Sequence, residues 1–297
     1  MTYKLIRKRC LISQFVLIST AMPLIRLIDG FRYCSHDYWI EAADPRTKHL
    51  PLIESGPERV LTILSMYLIF VKIVGPWLMR DRKPFMLRGL LLIYNIFMVV
   101  INLFIFYNIL KRIDYGRRFL IFKFPDPNDV SPDTLYEIKI GYLCYLTRLL
   151  DLFDTIFFVL RKKENQITFL HLYHHTMVPL LGYMTLKIAP QAPVVGLFLM
   201  LNTFIHSVMY LYYALAAFGP QVQKYLWWKK YITQLQLLQF AACGFYSLIM
   251  IFLQEGFPPG LFWLGFAQNP FFFYMFYDFY RKSYRSKKLI SKSDKSL

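Results

Sequence analysis

Seven stretches of the chain stay predominantly apolar for about 20 residues, the length an α-helix needs to cross a bilayer. They are 60–79, 88–110, 138–160, 168–187, 192–213, 231–253 and 261–280, and each is predicted as a membrane helix. The second is the clearest, since LLLIYNIFMVVINLFIFYNIL carries no charge. The third is the most polar, with Arg148, Asp151 and Asp154 inside it. A soluble amphipathic helix would give the same pattern there, but six apolar neighbours decide for the membrane. A shorter apolar run, 10–25, follows Lys4, Arg7, Lys8 and Arg9 and breaks at Pro23 and Arg26. A signal anchor, a signal peptide, an interfacial helix and a start site placed too early all fit it.

The connections alternate in charge. RDRKPFML at 80–87, RKKENQI at 161–167, the segment with Lys224, Lys229 and Lys230, and the tail from Arg281 are basic. Segments 188–191 and 254–260 carry at most Glu255, and 111–137 balances its bases with Asp114, Asp126, Asp129, Asp133 and Glu137. Lys and Arg accumulate on cytoplasmic loops. The basic loops and the C-terminus are therefore expected in the cytosol. The chain divides into an N-terminal segment 1–57, one membrane domain 58–280 and a basic tail 281–297.

Composition sharpens this. Of 297 residues, 56% are hydrophobic and 18% charged, against about 25% charged in soluble domains. Disorder is excluded by the hydrophobicity. The net charge of +17 sits where membrane topology needs it, so nucleic acid is not an expected partner. Cys10, Cys34, Cys144 and Cys243 have no zinc-site spacing and are expected as free thiols.

Ionisable groups inside membrane spans are costly and usually face an internal cavity. His171, His174 and His175 stand at i, i+3 and i+4, on one helical face. Arg148, Asp151, Asp154 and Thr155 share a face of the third span. The fifth span carries Asn202 and His206, followed by Tyr210 and Tyr213; the sixth carries Thr233, Gln236 and Gln239; the second carries Asn95. Counted at the helical rise, one group on each of five helices, His174, His206, Asp154, Gln236 and Asn95, lies about 10 Å from its cytoplasmic helix end, which predicts one polar chamber. Interhelical hydrogen bonding would also explain the Asn, Gln and Thr residues, and a structural ion pair would explain Arg148 with Asp151. Phe271, Phe272 and Phe273 are expected to face lipid or pack in the core.

Three chemistries suit a membrane histidine cluster. A two-iron site needs more histidines than the four left after His36 and His49, which precede the first span. Four histidines leave room for a single zinc, but the reading taken has no bound metal. Transport would require a polar path across the membrane rather than a single level. Acyl transfer needs a nucleophilic imidazole, a site that excludes water and basic groups for a phosphorylated carrier, and the sequence supplies all three.

The motifs in order resemble those of the very-long-chain fatty acid elongase (ELO) family over residues 55–280. They are RKPF at 82–85, LRKK at 160–163, HLYHH at 171–175, NTFIHSVMYLYY at 202–213 and TQLQLLQF at 233–240. One departs: RLLDLFDT has Arg148 and Asp151 where the family usually has Lys and Glu. Lys295 and Ser293 also form only half of a dilysine retrieval signal.

The resemblance implies an all-α, multi-pass protein of the endoplasmic reticulum, with its C-terminus in the cytosol. Seven helices are implied, six of them forming a barrel around an acyl tunnel. The implied reaction condenses an acyl-CoA with malonyl-CoA, using no bound cofactor. His174 would carry the acyl group. His206, His175 and Asn202 would stabilise the enolate, with His171 beside them and Asp151 or Asp154 orienting a ring. Arg82, Lys83, Arg161, Lys162, Lys163, Lys229 and Lys230 would hold CoA phosphates. Arg148, Tyr210, Tyr213, Gln236 and Gln239 complete the substrate-binding set. Implied partners are membrane lipid and the ketoacyl reductase, dehydratase and enoyl reductase of an elongation cycle, with a homodimer allowed. A lipid or acyl-CoA binding or transport protein, or an inactive elongase homologue, is the alternative.

Overall fold

The computed structural model describes residues 30–253 and 259–285. The apolar run 10–25 and the retrieval signal lie outside them. Among the described residues every regular element is helical. A π turn, Tyr33–Asp37, leads into the short helix α1, Tyr38–Glu41. The longer helices are α2 (Glu58–Met79), α3 (Arg88–Arg112), α4 (Pro132–Leu150), α5 (Leu152–Leu160), α6 (Phe169–Ile188), α7 (Pro193–Ala217), α8 (Lys229–Leu253) and α9 (Pro259–Tyr280). Helix is the expected solution, because lipid offers backbone polar groups no partner.

Each of the seven predicted apolar stretches is helical. Four of these helices, α2, α3, α7 and α8, are long and apolar enough to cross a membrane by length and composition. The other three carry the sequence's polar cargo: the α4–α5 pair is broken at Asp151, α6 holds three histidines, and α9 holds Gln268, Asn269 and Asp278.

Packing closes a ring. Helix α3 lies on α4, α4 on α6, α6 on α9, α9 on α8, α8 on α7, and α7 returns to α3. Helix α2 stands outside this ring against α5 and α6. Its middle turn, Phe70–Val74, is a π turn. Pro76 has no N–H and its ring crowds the preceding turn, and a widened turn accommodates it. Gly75 then donates its N–H to the Phe70 carbonyl. A Cβ on Gly75 would lie 2.6 Å from Val159 and 2.8 Å from that carbonyl oxygen. Gly75→Ala is expected to cost about 1–3 kcal/mol by overpacking. A thermal melt in detergent should show the loss, and an unchanged midpoint would contradict this packing.

The two ends of the ring differ. At one end, the Phe85 N–H donates to the Leu160 carbonyl (3.0 Å), Lys162 donates to the Arg80 carbonyl (3.2 Å), and Arg88 donates to the Ala217 carbonyl (2.7 Å) and to that of Phe218. The basic connections are thereby gathered together. At the other end, residues 42–57 fold back onto the body, with Thr47 and Ile53 fully buried. The buried Lys187 ammonium donates to the carbonyls of Ile53 (2.5 Å) and Ser55 (3.0 Å). Arg46 pairs with Asp44 (2.7 Å) and donates to the Asp129 carbonyl (3.0 Å) and to Gln191 (2.8 Å). Neither charge is left unsatisfied, as burial requires.

Candidate active site

Local structure places the histidines. Thr168 caps α6, its hydroxyl accepting the His171 N–H (3.2 Å). The first two turns after this cap carry His171, His174 and His175. On the facing side, the third predicted span is interrupted. Asp154 N–H bonds the Asp151 carbonyl (3.1 Å), a tight three-residue turn between α4 and α5. Side chains three apart eclipse in such a turn. Asp151 and Asp154 therefore meet at one hydroxyl, Tyr210 Oη, at 2.7 Å each.

Arg148 is the hub. Its guanidinium is buried, pairs with Asp151 (3.1 Å), and donates to Asn102 (2.6 Å), Asn202 (3.0 Å) and Nδ1 of His206 (2.5 Å). Thr147 Oγ1 accepts a further bond at 3.1 Å. Arginine has five donors in a planar fork and no acceptor. His206 Nδ1 must therefore accept, which leaves its proton on Nε2. Asp151 lies 3.5 Å from the same ring and balances the charge. The Tyr210 hydroxyl thus bridges the two carboxyl groups, and Asp151 faces Arg148 as well.

The four imidazoles follow one another: ring centroids are 4.1 Å apart for His171 and His175, 5.4 Å for His175 and His174, and 6.4 Å, nearly parallel, for His174 and His206. His171 Nε2 is engaged by Thr155 Oγ1 (2.8 Å). Among the described residues, no hydrogen bond engages a ring nitrogen of His174, which is also only partly buried. Phe272 and Phe276 stand against His174 at 5.5 and 6.3 Å, and Phe240 stacks on Phe272. Phe272 is thus core at the site, while Phe271 and Phe273 are exposed. Among the described residues four buried side-chain polar atoms lack partners, Tyr145 Oη, Ser247 Oγ, His175 Nδ1 and Gln239 Nε2.

The expected depth needs correction. Helix α7 continues to Ala217, four residues past its predicted end at 213. That puts His206 about 16 Å and Asn202 about 22 Å from its basic end. The site slopes through the ring instead of lying at one level, because the helix ends are not flush. Asn102, about 21 Å into α3, joins the hub where Asn95 was expected. Asn102 is seven residues from Asn95 on the same face, and that spacing was the available signal. Tyr94, whose hydroxyl donates to the Leu150 carbonyl (3.1 Å), Tyr67, 2.8 Å from Thr155, and Thr147 were also missed, since a Tyr or Thr in a span looks ordinary in sequence.

Other expected residues are placed as follows. Tyr213 packs its ring on Tyr210 (6.0 Å). Gln236 is half-buried and Gln239 buried on α8. Arg82, Lys83, Lys162, Lys163, Lys229 and Lys230 are exposed at the basic end, and Arg161 is half-buried there. Lys229 sits over the Tyr212 ring at 6.0 Å and Lys230 over Tyr231 at 4.8 Å. Neither Asp151 nor Asp154 hydrogen-bonds His174, and Asp154 reaches no histidine.

A ring of membrane helices enclosing a histidine, carboxylate and arginine cluster defines a multi-pass membrane protein with a buried polar site. Its sequence matches the ELO (GNS1/SUR4) family over residues 52–292, and the chain belongs to that family. It is 37% identical to a very long chain fatty acid elongase of Aedes aegypti, over 85% of this chain and 70% of that protein. It is 38% identical to very long chain fatty acid elongase 4 of Homo sapiens (83% and 77%). It is 40% identical to very long chain fatty acid elongase 7 of Rattus norvegicus (74% and 77%).

Proposed function

We propose that the protein is a very-long-chain fatty acid elongase that condenses an acyl-CoA with malonyl-CoA. The products are a 3-ketoacyl-CoA two carbons longer, carbon dioxide and free CoA. One observation carries the mechanism. Of the four imidazoles, His174 is the one left partly accessible with no hydrogen bond to a ring nitrogen. A nucleophile needs a free lone pair, and His171 and His206 have committed one nitrogen each.

In this reading His174 attacks the thioester carbonyl, and CoA leaves as its thiol. Malonyl-CoA then loses carbon dioxide, the enolate carbon attacks the acyl-imidazole, and the departing imidazole nitrogen takes up one proton from solvent, which returns His174 to its neutral form. His206, with its proton on Nε2, donates to the developing oxyanion, and Arg148 supports it from Nδ1. His175 Nδ1 and Gln239 Nε2, both sealed from water, are partners for substrate polar groups. Leaving such atoms unpaired costs about 1–3 kcal/mol each. The phosphates of CoA lie on the basic end, which faces the cytosol of an endoplasmic reticulum membrane, and the reductases and dehydratase of an elongation cycle take up the product.

The test is a half-reaction. Purified protein with labelled acyl-CoA and no malonyl-CoA should release one equivalent of CoA. It should also retain a hydroxylamine-labile acyl group that mass spectrometry maps to His174. Malonyl-CoA should then discharge that group as 3-ketoacyl-CoA. A folded protein that forms neither adduct nor product would refute the proposal.

A further inference from the structure

The ring of six helices holds the histidines, yet one hydrogen bond into the cluster begins outside it. Tyr67 lies on α2, which packs against the ring from without. Its side chain is buried, and its Oη is 2.8 Å from Thr155 Oγ1. Thr155, fully buried on α5, is in turn 2.8 Å from Nε2 of His171.

Proton counting sets the direction. Thr155 Oγ1 is the only hydrogen-bond partner of Tyr67 Oη among the described residues. If His171 donated to Thr155 and Thr155 to Tyr67, the buried phenolic proton would have no acceptor, which is unfavourable. With Tyr67 donating to Thr155 and Thr155 to His171, each hydroxyl proton is used. His171 then accepts at Nε2 and carries its proton on Nδ1. The ring so fixed lies 4.1 Å from His175, which in turn flanks His174 at 5.4 Å.

We infer that Tyr67 is a positioning residue for the histidine cluster, acting through Thr155 to lock the tautomer and orientation of His171. This rests on the condensation reading for its effect on turnover, and on geometry alone for its effect on His171. Helix α2 is then part of the catalytic apparatus, although it contributes nothing to the ring.

The experiment uses the full chain in detergent, with Tyr67→Phe, Thr155→Val and the double variant. Two quantities are read: steady-state kcat and KM, and the rate at which diethyl pyrocarbonate modifies His171, followed by mass spectrometry. Loss of one positioning hydrogen bond is expected to lower kcat about tenfold, with KM for both CoA substrates held within about twofold. The double variant should be no worse than the more affected single one, since both cut one chain. Modification of His171 should become several-fold faster: Thr155→Val releases Nε2 outright, and Tyr67→Phe leaves the Thr155 hydroxyl free to accept as well as donate, so His171 is no longer held in one tautomer. Tyr67→Phe removes one oxygen and should keep the wild-type melting temperature, so it decides the matter even if Thr155→Val folds poorly. Wild-type kcat and wild-type His171 reactivity in Tyr67→Phe would overturn the inference. So would a fall in kcat with His171 reactivity unchanged, since Tyr67 would then act by another route. A wild-type protein that makes no 3-ketoacyl-CoA would strike the condensation reading instead, and faster modification of His171 in Tyr67→Phe would still support the chain.

Discussion

His174→Ala is expected to lower condensation by roughly a thousandfold or more, the scale on which removal of a covalent nucleophile is felt. The same variant should form no acyl adduct from acyl-CoA alone. Folding should survive. The His174 ring makes no hydrogen bond that others depend on, and its aromatic contacts with Phe272 and Phe276 are worth about 1 kcal/mol each. The melting midpoint should therefore move by only a few degrees. The contrast with the other histidines is informative. His206→Ala should leave the adduct and slow its discharge by malonyl-CoA, because His206 donates to an oxyanion without carrying the chain. An active, well-folded His174→Ala protein, or one whose adduct persists, would sink the assignment of the nucleophile.

Arg148→Met carries the largest expected effect on stability. It strands a buried Asp151 carboxylate, along with acceptors on Asn102, Asn202 and His206. Breaking a buried ion pair from one side costs about 3–5 kcal/mol, a large share of the total stability of most domains. The variant should express poorly and melt early. Adding Asp151→Leu removes the stranded charge and should recover much of the melting temperature, but none of the activity. Arg148→Lys keeps the charge with a point donor instead of a fork, and it cannot serve Asn102, Asn202 and His206 together. It should fold with intermediate stability and reduced turnover. Wild-type stability in Arg148→Met would show that the hub is not the structural centre of the site.

Arg148 also illustrates what could be read from the chain. Its place where the family usually has Lys was visible, and so was Asp151 beside it. The sequence left an ion pair and a substrate contact equally open. The structure gives it Asn102 on α3, Asn202 and His206 on α7, and Thr147 and Asp151 on its own span, a role that spacing along one helix cannot reveal. Asn102 was passed over for a related reason. A depth count along one helix holds only where helix ends are flush, and α7 overruns its predicted end. Phe272 was grouped with Phe271 and Phe273 because nothing local separates three consecutive phenylalanines; only the proximity of α6 and α8 turns one of them toward His174.

Chain sequence alone was enough for the helices, their order, the basic connections between them and the face shared by His171, His174 and His175. These are local properties. A membrane helix satisfies its backbone within itself, so hydropathy over about 20 residues predicts it without knowledge of its neighbours. The closing of six helices into a ring, the break that brings Asp151 and Asp154 to one hydroxyl, and the Tyr67–Thr155–His171 chain were decided by tertiary structure. Each depends on side chains 16 to 88 residues apart meeting at hydrogen-bond distance, and no periodicity in one helix specifies which face of another it will meet.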